Sequence, residues 1–229
     1  MINQLIEELE RNKDLKKAKV LQSFFKTGKG EYGEGDIFLG ISVPKQREIS
    51  KNYIPLQLLD IQKLLESKIH EHRMCAGLIL VEKYEIENKE EIVKFYLKNA
   101  KKFNNWDLVD LTAPKILGDF LLNRERKILS SLSKSKNLWE RRIAIVSTYP
   151  LIKNKEFEET VKISKELLED KEELINKAVG WMLREMGKKN ERYLEYFLQE
   201  NYKKMKRVTL RYSIEKFSKE KQKYYLSLV

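Results

Sequence analysis

One cysteine, two histidines, four prolines and nine glycines are all that 229 residues hold of these types. The lone Cys75 cannot close an internal disulfide, and its place in the apolar run MCAGLILV marks a small core residue instead of a nucleophile. The chain is therefore expected to be intracellular. Two histidines, His70 and His72, leave a His-based triad or a zinc site nearly excluded, so no metal and no cofactor is expected. Whatever chemistry occurs must rest on carboxylates, aromatics and cations. Scarce glycine and proline withhold the turn residues that sandwiches and barrels need, which favours helix. The longest apolar stretch, around 74–81, is far too short to span a bilayer. The opening MINQLIEELERNKD turns charged at once, unlike a secretory signal. No membrane partner is expected, and the expected location is cytoplasmic.

What is present is charge and helical periodicity. Lysine and arginine total 46 against 35 acidic residues, a net charge of +11. A compact basic surface attracts polyanions, nucleic acid foremost, although lysine-rich chains also arise from genome-wide composition. Apolar spacing predicts helices over 2–11, 14–26, 44–52, 56–66, 70–84, 88–100, 105–121, 125–133, 137–149, 155–169, 171–187, 190–200, 204–216 and 218–226. Strand-like alternation is absent. Many short helices with brief polar turns suggest an all-α solenoid of stacked helix pairs. Ala76, Asp110, Ala144, Ala178 and Tyr212 recur 34 residues apart, each in the second helix of a candidate pair. Identity between the copies is low. Within this frame Asp110 is the exception, a carboxylate in a slot that is small and apolar in three other copies.

One segment breaks the helical texture. Five of the nine glycines (Gly28, Gly30, Gly33, Gly35 and Gly40) fall within KTGKGEYGEGDIFLGISVPKQRE. Residues 28–33 satisfy G-x-G-x-x-G, but they follow a helix instead of a strand and no βαβ unit surrounds them. An ordered loop ending where Pro44 opens a helix is the favoured reading.

Chemistry concentrates in NNWDLVDLTAPKILGDF. Asn104 or Asn105 can cap this helix, and Asp107 suits its positive end, which makes Asp107 structural. Trp106 and Asp110 lie four apart and share a face. Pro114 deprives the Asp110 carbonyl of its helical donor, so a kink is expected there. Two readings stand on these residues alone: a concave site of carboxylate and indole, or a core tryptophan beside an Asp110 that binds a neighbouring arginine. Further on, LWERRIAIV places Arg141 and Arg142 inside an apolar helix, about 100° apart, so that only one faces the same way as Trp139. An arginine there suits phosphate or a salt bridge. Trp181 with Arg184, then Lys203, Lys204, Lys206, Arg207 and Arg211, extend the pattern of cations beside tryptophans. Such runs are ordinarily solvated faces; their recurrence in successive second helices favours a basic, aromatic groove.

Together FLGISVPKQR, NNWDLVD, LWERRIAIV and KAVGWMLREMGK followed by RVTLRYSIEKF resemble the AlkD-type DNA alkylation-repair glycosylases, over nearly the whole chain. The resemblance implies one right-handed α-solenoid of HEAT-like antiparallel helix pairs over 1–229, with a concave basic face that holds double-stranded DNA containing alkylated bases. It implies excision of cationic N3- or N7-alkylated purines. By motif, the family's catalytic aspartate matches Asp110 and its site tryptophans match Trp106 and Trp181. Its DNA-contacting arginine matches Arg142, after Trp139. Phe24 aligns where the best-known branch has tyrosine, and the glycine-rich insertion points to another branch. The expected function is a monofunctional DNA glycosylase without metal, acting as a monomer, with Asp110, Trp106 and Trp181 catalytic and Phe24, Trp139, Arg142, Arg184, Arg207 and Arg211 on DNA. The alternatives are a non-catalytic HEAT-repeat protein that recognises distorted or branched DNA, and a protein-binding scaffold.

Overall fold

A computed structural model describes residues 1–228. Two compact units are distinguished, Met1–Thr112 and Ala113–Val229. Among the described residues there is no β-sheet; an isolated parallel bridge joins Ile37 to Ile69. No helix among them is long and apolar enough to cross a membrane.

The first unit comprises α1 (Ile2–Arg11), α2 (Leu15–Phe24), α3 (Val43–Lys51), α4 (Leu58–Leu65), α5 (His70–Ile86), α6 (Lys89–Lys98) and α7 (Trp106–Thr112). Sequence chemistry sets the helix starts. Asp14 accepts the amides of Lys16 and Lys17 to open α2, Asn88 does the same for α6, and Pro44 sits in the first turn of α3. The central helix is α5, which α3, α4, α6 and α7 all contact. It is buried on nearly every side, so the charges it carries must find partners inside the protein. Cys75 lies within it, fully buried, and burial above all holds its thiol protonated, with a pKa pushed up to about 12.

The second unit holds a π turn at Pro114–Gly118, then α8 (Lys127–Ser133), α9 (Leu138–Val146), α10 (Tyr149–Lys153), α11 (Glu158–Leu167), α12 (Glu173–Lys189), α13 (Glu191–Asn201), α14 (Arg207–Ser213) and α15 (Lys219–Ser227). Helices α9, α12 and α14 pack side by side, and α8 and α11 pair with one another. That is the stacking of helix pairs the 34-residue spacing predicts. Hydrogen bonds between successive repeats carry the same interval: Ser147 Oγ to the Ala113 carbonyl is 34 residues, Thr209 Oγ1 to Asn176 is 33, and Lys165 to Glu200 is 35. Ala76, Ala144 and Ala178 are fully buried at their slots.

Two expected helices are divided. The stretch 105–121 stops being α-helical after Thr112, and the Gly118 amide reaches back five residues to the Ala113 carbonyl at 2.8 Å. Pro114 lacks the donor that would continue the α ladder, and the wider turn absorbs the mismatch. Gly118 also permits a close approach, since a Cβ there would lie 2.5 Å from the Ser147 carbonyl oxygen. The stretch 137–149 breaks at Ser147–Thr148, because Pro150 fits only the first turn of a new helix, α10.

Candidate functional site

The sequence-predicted pair sits at the start of α7. Trp106 and Asp110 are both half-buried. Asn105 is buried and its Oδ1 accepts the Trp106 amide, while Asp107 Oδ1 accepts the Leu108 amide, both at 2.8 Å. The negative charge of Asp110 reaches the Tyr96 hydroxyl. Burial foremost, with Asp110 adding to it, raises the pKa of that hydroxyl above the usual phenol value.

Trp106 is the outer member of a ring stack. Its indole lies on Phe25 with centroids 5.2 Å apart and planes 20° from parallel; Phe25 stacks on Phe38 at 5.0 Å, and Phe38 on the His70 imidazole at 4.5 Å. Phe24, 62% exposed, meets the indole edge-on at 6.1 Å. The indole N–H donates to the Tyr32 hydroxyl at 3.2 Å. The glycine-rich segment thus has a structural task, delivering Tyr32 to the tryptophan.

That segment is ordered by the first turn of α5. Glu71, fully buried, accepts the amides of Leu39 at 2.9 Å, Gly40 at 2.8 Å and Ile41 at 3.3 Å. Arg73 donates to Asp36 Oδ2 at 2.6 Å and to the Ser67 carbonyl at 2.6 Å. His70 stands between two carboxylates: its Nε2 is 2.9 Å from Asp107 Oδ2 and its Nδ1 is 3.6 Å from Asp36 Oδ2. Burial, the largest influence, disfavours the imidazolium, but the bond to Asp107 and the nearby carboxylate of Asp36 outweigh it and raise the pKa to about 8. Asp107 is structural, as its position in the first turn predicts, though its partner is a histidine as well as the helix end. His72 differs: burial lowers its pKa, and its Nδ1 faces Ser67 Oγ at 3.0 Å. Tyr32, Phe25, Asp36 and His70 were not among the expected site residues. They lie in FKTGKGEYGEGD and HEHR, two stretches that no spacing rule connects to each other or to NNWD.

In the second unit Arg142 is buried, and its Nη1 donates to the Leu174 carbonyl at 2.5 Å. Its neighbour Arg141 points away and grips Asp170, with Nε–Oδ2 2.6 Å and Nη2–Oδ1 3.3 Å. Trp139 is 6% exposed, on the core side of α9. Trp181 is half-buried with Tyr149 6.2 Å away. Arg184 bonds Glu185 and Glu215, and Arg207 and Arg211 lie exposed on α14.

A helical-repeat protein with a strongly basic surface and a carboxylate one turn from a fixed indole is the class these features define. A family model described as DNA alkylation repair enzyme matches residues 5–217, and the chain belongs to that family. Three solved structures share its fold. A predicted DNA alkylation repair enzyme from Enterococcus faecalis is 21% identical with a TM-score of 0.76, over 91% of this chain and 98% of that one. AlkD2 from Streptococcus mutans is 18% identical with a TM-score of 0.57, over 96% and 100%. The protein smu.31 from Streptococcus mutans UA159 is 21% identical with a TM-score of 0.54, over 95% and 98%. No curated protein sequence matches the chain significantly.

Proposed function

We propose that the protein is a monofunctional DNA glycosylase that hydrolyses the N-glycosidic bond of cationic N3- or N7-alkylated purines in duplex DNA, its 229 residues working as one HEAT-like domain. The observation that carries this reading is the shared face of Trp106 and Asp110 on α7, with the indole held in place by Phe25, Phe24 and Tyr32. A purine alkylated at N3 or N7 is already positively charged, so it departs with the bond's electron pair as a neutral base and needs no strong acid. Positive charge then develops on the deoxyribose. A fixed carboxylate stabilises that charge and orients the water that adds to the anomeric carbon, as in sugar hydrolysis. An indole alongside contributes cation–π attraction and excludes bulk water, which strengthens the carboxylate's field. Family membership supports DNA as the substrate, and a net charge of +11 supports binding to it. Arg207 and Arg211, both exposed, suit backbone phosphates; the family motif assigns Arg142 to DNA and Trp181 to the catalytic set, and Arg184 on the same helix as Trp181 is assigned to DNA.

Release of alkylated purines from methylated duplex DNA tests the proposal. Asp110→Asn is expected to lose release by about 100-fold or more while binding DNA as well as the wild type. Should the wild-type protein bind such DNA and free no base, the glycosylase reading fails and non-catalytic recognition of distorted DNA takes its place.

A further inference from the structure

The deep end of the ring stack is a titratable group that the chemistry above does not use. His70 opens α5 and is packed by three other elements. The segment between α2 and α3 brings Asp36, α7 brings Asp107, and the C-terminal cap of α2 brings only the neutral ring of Phe25 at 5.2 Å. Its own helix adds Arg73, which is already bonded to Asp36. With His70 protonated, this buried set holds two negative and two positive charges, and both ring nitrogens can donate. A neutral imidazole has a single N–H. It can keep the bond to Asp107 but no longer offsets the charge of Asp36 3.6 Å away, and the set is left with one uncompensated negative charge.

We infer that His70 is a positioning residue for the candidate site. By gripping Asp107 it fixes the first turn of α7, and with it the orientation of the Trp106 indole and of Asp110 one turn further on, so that site geometry follows the charge on the imidazole. Trp106 is thereby held from both sides, by the ring stack that ends on His70 and by the backbone turn that Asp107 anchors. The inference rests on the glycosylase reading for its effect on activity, but not for its effect on the indole. The bond to Asp107 and the nearby charge of Asp36 place the titration near pH 8, within reach of ordinary assays.

The test follows three signals in the intact chain between about pH 6 and about pH 10. These are the NMR resonance of the His70 ring, the indole N–H resonance of Trp106 (identified by its loss in Trp106→Phe), and the single-turnover rate of base release at saturating protein. All three are expected to change with one midpoint, the rate falling several-fold on the alkaline side. In Asp107→Asn, which keeps the shape and removes the charge, the three midpoints are expected to move down together. The inference is overturned if the imidazole titrates while the indole resonance stays still, or if Asp107→Asn leaves the pH profile of release where it was. If the wild type releases no base, the glycosylase reading fails and the indole resonance alone decides the positioning role. If Asp107→Asn does not fold, coincidence of the imidazole and indole transitions in the wild type decides it.

Discussion

At the scale of single residues, the first unit depends on buried charges that each have an assigned partner. Glu71 is the clearest case: its carboxylate lies at the positive end of α5 and takes three backbone amides from a segment 30 to 32 residues away in sequence. Glu71→Ala would strand those amides in a water-free interior, where each unmet donor costs energy. The expected loss is about 3 kcal/mol or more, read as a lowered midpoint in urea unfolding. Asp110 lies half-buried on a short helix, in a slot that three other copies of its repeat fill with alanine, and its removal is expected to affect chemistry far more than stability.

At the scale of elements, the segment between α2 and α3 decides how the tryptophan is held. Gly35 and Gly40 both have positive φ, 84° and 86°, a backbone region that L residues rarely adopt. Their surroundings differ. Nothing lies within 4 Å of a Cβ added at Gly35, whereas one added at Gly40 would lie 2.2 Å from the Asp14 carbonyl oxygen and 2.6 Å from the Ala18 nitrogen. Gly35→Ala is expected to cost about 1 kcal/mol of conformational strain. Gly40→Ala must also push the segment off α2 and is expected to cost clearly more, with a matching change in Trp106 fluorescence. Equal thermal midpoints for the two variants would contradict this account. The π turn after α7 follows the same logic, since proline removes a donor and a glycine allows another chain segment to approach.

At the scale of the whole molecule, His70 ties stability to pH. Its folded pKa of about 8 lies above the 6.5 of a free histidine, so the folded state holds the proton more tightly. The stabilisation is fully present below about pH 6.5 and is lost as pH rises through about 8, and it amounts to about 2 kcal/mol. Unfolding free energy measured across that range is expected to fall in the wild type and to stay flatter in His70→Gln. A wild-type curve that stays flat through pH 8 would show that the two carboxylates do not favour the imidazolium.

The amino-acid sequence by itself determined the helical class, the 34-residue interval, most helix starts and the placing of Trp106 and Asp110 one turn apart on one helix, because caps, prolines and apolar spacing act within a few residues. It also determined that Asp107 serves the helix start. It did not reveal that Asp107 binds His70, that Glu71 secures the FLG string, or that Tyr32 reaches the indole. Those partners are separated by 31 to 74 residues and meet only once α5 is buried. Only the tertiary structure could turn two isolated histidines into different groups, one raised by carboxylates and one lowered by burial. A titration follows from what surrounds a ring in space, and neighbours in sequence do not specify it.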